Sequence, residues 1–390
     1  MEMISQWYRV SRAWVRGPTI RQMRHAAITG WGKCLPPAAL SNADLAQFLD
    51  TSDEWILSRT GIRERRISHV GLDELARVAS LRALAAAGLP PSDVELIVFG
   101  TTTFQDQAPN QASGLQAVLG AQRAASMDVN TACTSFMYAW STANALIRTG
   151  VVRNALVVGG EVISRFMDWR NRNVAVLFGD GCAAVVLQAT EAQTGLLGER
   201  LGCDASARDA LVIQGMGARY ADFRRRLGVT DWIFDGPEIF KRAVGGMGHA
   251  AAELLAAHGL TADDIGLVVP HQANLRIIEA VAKRLDLPMD RVMVNVARYG
   301  NMSAATVPVA LVEALEAGRV QPGSLLLLPA FGAGLTWCAH LARWGERTAP
   351  LGISDAELPP APRPALEMVR EFIRLRDGGG PPAGGGPPPL

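Results

Sequence analysis

The chain repeats itself, and this limits its fold more than any other feature. The run AAAGLPPSDVELIV, residues 85–98, matches AAHGLTADDIGLVV, residues 256–269, at an offset of 171. Each copy reads as the end of a helix, a Gly-Leu turn, an acidic residue and an apolar strand. A second match runs in the same order from residues 145–158 to 314–327, with Gly150 aligned on Gly318 at an offset of 168. Two ordered matches predict a duplicated α/β unit in which strands alternate with helices.

The duplication carries a chemical expectation. Residues 128–140, DVNTACTSFMYAW, read as the end of a strand, a small-residue turn and a helix over about 135–148. Cys133 stands at that helix start. There the unpaired N–H groups and the positive end of the helix dipole favour a nucleophilic thiolate. A shift of 168 from Cys133 falls on Asn301, in RYGNMSAA, another tight turn before an apolar helix. His271 ends the second-copy strand LVVP. Ligands of open α/β sheets gather at the carboxyl ends of strands, so Cys133, His271 and Asn301 are expected on one face.

Composition removes other classes. The 390 residues carry a net charge of +1, so no long-range field points to nucleic acid or a membrane surface. The five cysteines are scattered without metal-ligand spacing. That argues against a disulfide framework or a metal site and fits a reducing cytoplasm. No apolar run approaches membrane-spanning length. The expected organisation is an arginine-bearing flexible extension over 1–24, a nucleophile half over 25–195 and a His/Asn half over 196–346. A Pro/Gly-rich tail over 347–390 follows, with a short helix near 365–376. Strands at 155–161 and 174–187 are expected to close the first half, and 195–232 reads as a polar excursion or lid.

From about His25 to Trp344 the chain resembles the β-ketoacyl-acyl-carrier-protein synthase III family of condensing enzymes. The matching stretches are TSDEWILSRTGIRER (51–65), residues 128–140, FGDG (178–181), PHQANLR (270–276), YGNMSAA (299–305) and AFGAGLTW (330–337). The resemblance implies a thiolase fold, two βαβαβαββ halves in five α-β-α-β-α layers. It implies that Cys133 takes an acyl group from coenzyme A. His271 and Asn301 then hold the malonyl-carrier thioester through decarboxylation, and the enolate attacks the acyl-cysteine. An oxyanion site would use the backbone N–H groups of Cys133 and Ala333. Trp55 and Arg172 would sandwich adenine, with Arg59 at the nucleotide, and Arg276, Lys283 and Arg284 would dock an acyl carrier protein. Ala108, Thr134 and Phe331 would bound the acyl pocket. No cofactor is implied beyond the two thioester substrates, and a homodimer is.

Six positions depart from the family pattern. Thr134-Ser135 stand for a small Ala-Gly pair, Ala108 for a bulky aromatic, Met302 for threonine, Ala333 for glycine and Pro237 for a polar residue. The loss at Ala108 predicts a starter larger than acetyl. Two rival readings remain at this level. One is an acyltransferase passing the acyl group to an alcohol, amine or carrier thiol without carbon–carbon bond formation. The other is a non-enzymatic partner subunit, which the presence of Cys133 disfavours.

Overall fold

The computed structural model describes residues 25–220 and 229–378. The extension 1–24, the arginines Arg224, Arg225 and Arg226, and the end of the tail lie outside the described residues.

Two mixed sheets form the frame. The first holds strands His25–Cys34, Leu96–Gly100, Ala125–Val129, Asn154–Glu161 and Gly181–Thr190. Counted along the chain, they lie in the order one-five-four-two-three, with the fifth antiparallel to both its neighbours. The second sheet holds Gly195–Cys203, Leu267–Val268, Leu325–Gly332 and Thr336–Arg343. Val292 bridges Val268 in parallel where a further strand would lie. With Val292 as its remnant third strand, the second sheet repeats the order and directions of the first.

Alternating burial along these strands builds the layers. Leu96, Val98 and Val157 face the middle layer, where helices Ser135–Arg148 and Thr306–Glu316 pack with Leu326 and Leu328 of the other sheet. Ile97, Phe99 and Val158 face outward onto helices Leu72–Ala87 and Gln111–Leu119. Val268, Leu327 and Leu341 meet helices Gly236–Ala257 and Leu275–Arg284 on the far side. These are the five layers of the thiolase fold.

Three expectations need correction. Gly195–Cys203 is no lid: it is the first strand of the second sheet, paired with Thr336–Arg343, and Leu211–Gln214 pairs with Asp231–Phe234. An edge strand keeps one face in solvent, so its polar residues make it read as loop. The stretch 174–187 splits into a helical turn, Arg172–Ala175, and a strand that begins only at Gly181. The third concerns the repeat. Its two offsets differ because helix Ser135–Arg148 has 14 residues and Thr306–Glu316 only 11. Ahead of those helices the offset is therefore 171, and Cys133 corresponds to Ala304 rather than to Asn301. The backbone agrees. The short turns Ala132–Thr134 and Ser303–Ala305 each begin on a non-glycine residue with positive φ, Ala132 at 53° and Ser303 at 48°. Asn301 matches Asn130, and each asparagine accepts a backbone N–H two residues on.

Candidate active site

Cys133, His271 and Asn301 line one cavity of about 910 Å³, with Phe331 and Gly332 beside them. All three are buried. Cys133 sits in the turn between strand Ala125–Val129 and helix Ser135–Arg148. Hydroxyls brace that turn: Ser135 Oγ accepts from Thr131 N at 2.9 Å and donates to the Ala132 carbonyl at 2.7 Å. Thr134 Oγ1 donates to the Thr131 carbonyl at 2.7 Å and meets Thr336 Oγ1 at 2.8 Å. Thr134 is buried and does not line the cavity, so its expected place in the acyl pocket is corrected: together with Ser135 it braces the Cys133 turn.

The resting state of the sulfur also differs from expectation. Burial pushes the Cys133 thiol up to about 11, against the smaller opposing effects of Ser303, its own backbone N–H and Asn301. At neutral pH it is a thiol, because removal from water outweighs the hydrogen bonds that favour its anion. Ser303 Oγ in turn donates to Glu161 Oε1 at 3.1 Å. Glu161 is fully buried and also accepts from the hydroxyls of Thr101 and Thr103 and from Thr102 N. Burial raises its carboxyl above the ordinary range, and these hydrogen bonds oppose the rise.

Asn301 is held by backbone. Its N–H donates to Leu177 O at 2.8 Å and its carbonyl accepts from Gly179 N at 3.1 Å. Oδ1 accepts from Ser303 N at 2.8 Å, which fixes the amide orientation and leaves Nδ2 as the donor for the cavity. Behind this turn Arg65, wholly buried, donates to the carbonyls of Leu40 and Val176 and to Asn42 Oδ1. His271 Nδ1 lies 2.6 Å from Thr306 Oγ1, whose single proton can go either to Nδ1 or to Ser303 O at 2.9 Å. Burial lowers the histidine to about 3, so the ring is neutral. One proton on Thr306 decides its tautomer. If Thr306 donates into Nδ1, Nε2 carries the hydrogen and becomes an oxyanion donor.

The second oxyanion donor was expected from Ala333. Gly332 abuts the Cys133 turn: a Cβ there would lie 2.9 Å from Cys133 N, 3.1 Å from Thr131 O and 3.1 Å from Thr134 N. Ala333 follows it, and its carbonyl accepts from Thr336 Oγ1 at 3.1 Å. Its φ is not positive, so alanine is accommodated without the strain a glycine position would bring.

At the mouth, Trp55 and Arg59 line the cavity, and the guanidinium groups of Arg59 and Arg172 lie 5.0 and 4.8 Å from the Trp55 ring centroid. The two cations cover the ring that was expected to hold adenine. Pro237 and Arg276 also line the mouth. Arg276, Lys283 and Arg284 are exposed along helix Leu275–Arg284. Ala108 is exposed on the loop before helix Gln111–Leu119 and is not brought to the cavity of its own chain. The sequence reading missed Glu161, Ser303 and Thr306. Ser303 lay inside a matched motif, and Glu161 ends an apolar strand, a position where an acid is unusual. Among the described residues no cluster of side chains fits a metal ion, and no helix is long and apolar enough to cross a membrane.

Comparison with known proteins gives this geometry a family. Residues 127–205 match the model for 3-oxoacyl-[acyl-carrier-protein] synthase III, and residues 255–344 match the model for its C-terminal part. β-Ketoacyl-[acyl-carrier-protein] synthase III 2 of Vibrio cholerae is 51% identical over 349 residues, which is 90% of this chain and 96% of that protein. The crystal structure of 3-oxoacyl-[acyl-carrier-protein] synthase III from Aquifex aeolicus superposes with a TM-score of 0.76 at 40% identity. It covers 82% of this chain and 100% of its own. The priming β-ketosynthase of the R1128 polyketide pathway gives 0.79 at 32% identity, over 85% of this chain and 99% of its own. With Cys133, a neutral histidine and a fixed asparagine amide around one cavity, the chain belongs to the 3-oxoacyl-[acyl-carrier-protein] synthase III family.

Proposed function

We propose that the chain joins an acyl group from acyl-coenzyme A to a malonyl-acyl carrier protein by decarboxylative Claisen condensation, starting a fatty acid or polyketide chain. The observation that carries this reading is the convergence of Cys133, His271 and Asn301 on one cavity. Cys133 attacks the thioester carbonyl, its thiol proton leaves with the coenzyme A sulfur, and an acyl-cysteine remains. Malonyl thioester then enters the same cavity. His271 Nε2–H and Asn301 Nδ2–H donate to its carbonyl oxygen, carbon dioxide departs, and the enolate carbon attacks the acyl-cysteine. The Cys133 sulfur is expelled and takes a proton. Two preorganised neutral donors at a developing oxyanion supply several kcal/mol of selective stabilisation, roughly 3 kcal/mol for each donor. The thioester itself is the electron sink, so the chemistry calls for no further cofactor.

Trp55, Arg59 and Arg172 would hold the nucleotide of coenzyme A. Arg276, Lys283 and Arg284 would meet the acidic carrier protein. The five unpaired cysteines fit a cytoplasmic enzyme. The edge strand Ala125–Val129, only partly covered in one chain, is the surface we assign to a homodimer. Since Ala108 stands off its own cavity, it would bound an acyl pocket only across that subunit boundary. Its small side chain there supports a starter larger than acetyl.

Two measurements test the reaction. Incubation with acyl-coenzyme A should add the acyl mass to Cys133, and malonyl-carrier protein should then release carbon dioxide. Acyl transfer with no malonyl consumption would instead support the acyltransferase alternative. In competition, acetyl-coenzyme A outcompeting every larger starter would remove the starter assignment.

A further inference from the structure

The family model ends at Trp344, and the Aquifex structure is spanned over its full length by 82% of this chain. The segment beyond is nevertheless packed. Arg347 bonds to the carbonyls of Thr29 and Ala86, Leu351 N donates to Ala86 O, and Pro359 O meets His69 Nε2 at 2.8 Å. Helix Ala365–Arg376 buries Ala365, Met368 and Val369 in the core that contains Leu40, Leu45 and Trp169. Its end reaches two walls of the cavity mouth. Arg376 pairs with Asp168 at 3.2 Å and with Asp231 at 3.3 Å, and donates to Met167 O at 3.4 Å. Asp377 pairs with Arg170.

These partners are not scattered. Asp168 and Arg170 belong to the tight turn 168–171, closed by Asn171 N on Asp168 O at 3.0 Å. That turn leads directly into Arg172, which covers Trp55 and is tied to Asp50. Asp231 opens the strand whose Ile233 and Phe234 line the cavity. Trp232 Nε1 and Phe166 O join the two walls directly at 2.9 Å. With Arg172 at 4.8 Å from the Trp55 centroid, no aromatic base fits between them, so the Arg172 guanidinium must move outward to admit one, and the turn that carries it sets how far it can go.

We propose that the C-terminal helix, through Arg376 and Asp377, positions the turn 168–171 and so sets how the Trp55–Arg172 pair opens to the nucleotide of an acyl-coenzyme A. The inference rests on the proposed function. Arg376 is a positioning residue, since it acts on substrate only through Arg172. Its fork spans two carboxylates on different walls, which a single ammonium cannot reproduce.

The test compares acyl-coenzyme A with the matching acyl-pantetheine, which lacks the nucleotide, as donors to Cys133. In Arg376→Gln, KM for acyl-coenzyme A should rise roughly three- to tenfold at unchanged kcat, while acyl-pantetheine is unaffected. Arg376→Lys should restore part of the loss. The substitution leaves the helix's buried face intact, so a melting temperature near that of the wild type is expected. Equal losses on both thioesters, or no loss on either, would overturn the inference. Failure of the wild type to acylate Cys133 would overturn the proposed function itself.

Discussion

Replacing Gly332 by alanine tests how closely the second half of the chain is fitted to the nucleophile. The new methyl would lie 2.9 Å from Cys133 N, about half an ångström inside ordinary contact, and 3.1 Å from both Thr131 O and Thr134 N. All three neighbours are backbone atoms of a turn already braced by Ser135 and Thr134, so no side chain can swing aside. Either the turn or the strand end Phe331-Gly332 must give. Overpacking of this kind costs about 1–3 kcal/mol of stability. The catalytic cost is separate. The Cys133 N–H is one of the two proposed oxyanion donors, and moving a positioned group by a fraction of an ångström should slow acylation roughly ten- to a hundredfold. Single-turnover acylation, read as mass added to Cys133, measures the rate, and thermal unfolding measures the stability. Gly345→Ala, where a Cβ meets nothing within 4 Å, is the control. Wild-type acylation in Gly332→Ala would refute the argument that strand Leu325–Gly332 sets the nucleophile's position.

Asn301→Ala should separate the half-reactions: acyl-Cys133 still forms, while malonyl-dependent release of carbon dioxide falls roughly a hundred- to a thousandfold. Parallel loss of acylation would show that Asn301 does something other than hold the malonyl thioester. Glu161→Gln presents an amide donor to a site already filled by five donors, Thr102 N and the hydroxyls of Thr101, Thr102, Thr103 and Ser303. It should cost about 1–3 kcal/mol by chemical denaturation, and an unchanged midpoint would count against the network. Stability should also depend on pH. Buried His271 and His340 are both lowered to about 3 from 6.5. The unfolded chain therefore takes up protons below pH 6.5 that the folded one refuses. Their contribution is complete above pH 6.5 and falls as pH drops toward 3, by up to ~1.4 kcal/mol per pH unit for each histidine. Glu161 and Asp180, raised by burial from 4.5 and 3.8, act in the opposite sense from those values upward to their raised folded ones. A melting temperature flat between pH 6.5 and 5 would contradict this.

The repeat and the motifs made the thiolase layers legible, and with them the convergence of Cys133, His271 and Asn301 on one cavity, because helix–strand alternation and strand-end placement are written in local patterns. Other features were hidden by geometry. Thr134 and Ser135 were read by size, but what matters is where their hydroxyls point, and that follows from the turn. Glu161 draws its role from Thr101 to Thr103 and from Ser303, 142 residues away. Gly195–Cys203 was missed because an edge strand with one wet face lacks a strand's apolar signature. The pairing of Cys133 with Asn301 by a single offset failed because three residues were lost inside the second helix, beyond the turn in question.

The two turns are also held crosswise. Strand Leu325–Gly332 of the second half crowds the Cys133 turn, and Gly159 of the first half crowds the carbonyl of Ala304, where a Cβ would approach to 2.6 Å. Each copy of the ancestral unit has therefore surrendered to the other the means of shaping its own turn. Separately expressed halves would each lack the template for their reactive residues, and activity should return only when both are mixed and refold on one another. The duplication has become a mutual dependence: a residue drifting in one half is checked by the chemistry of the other.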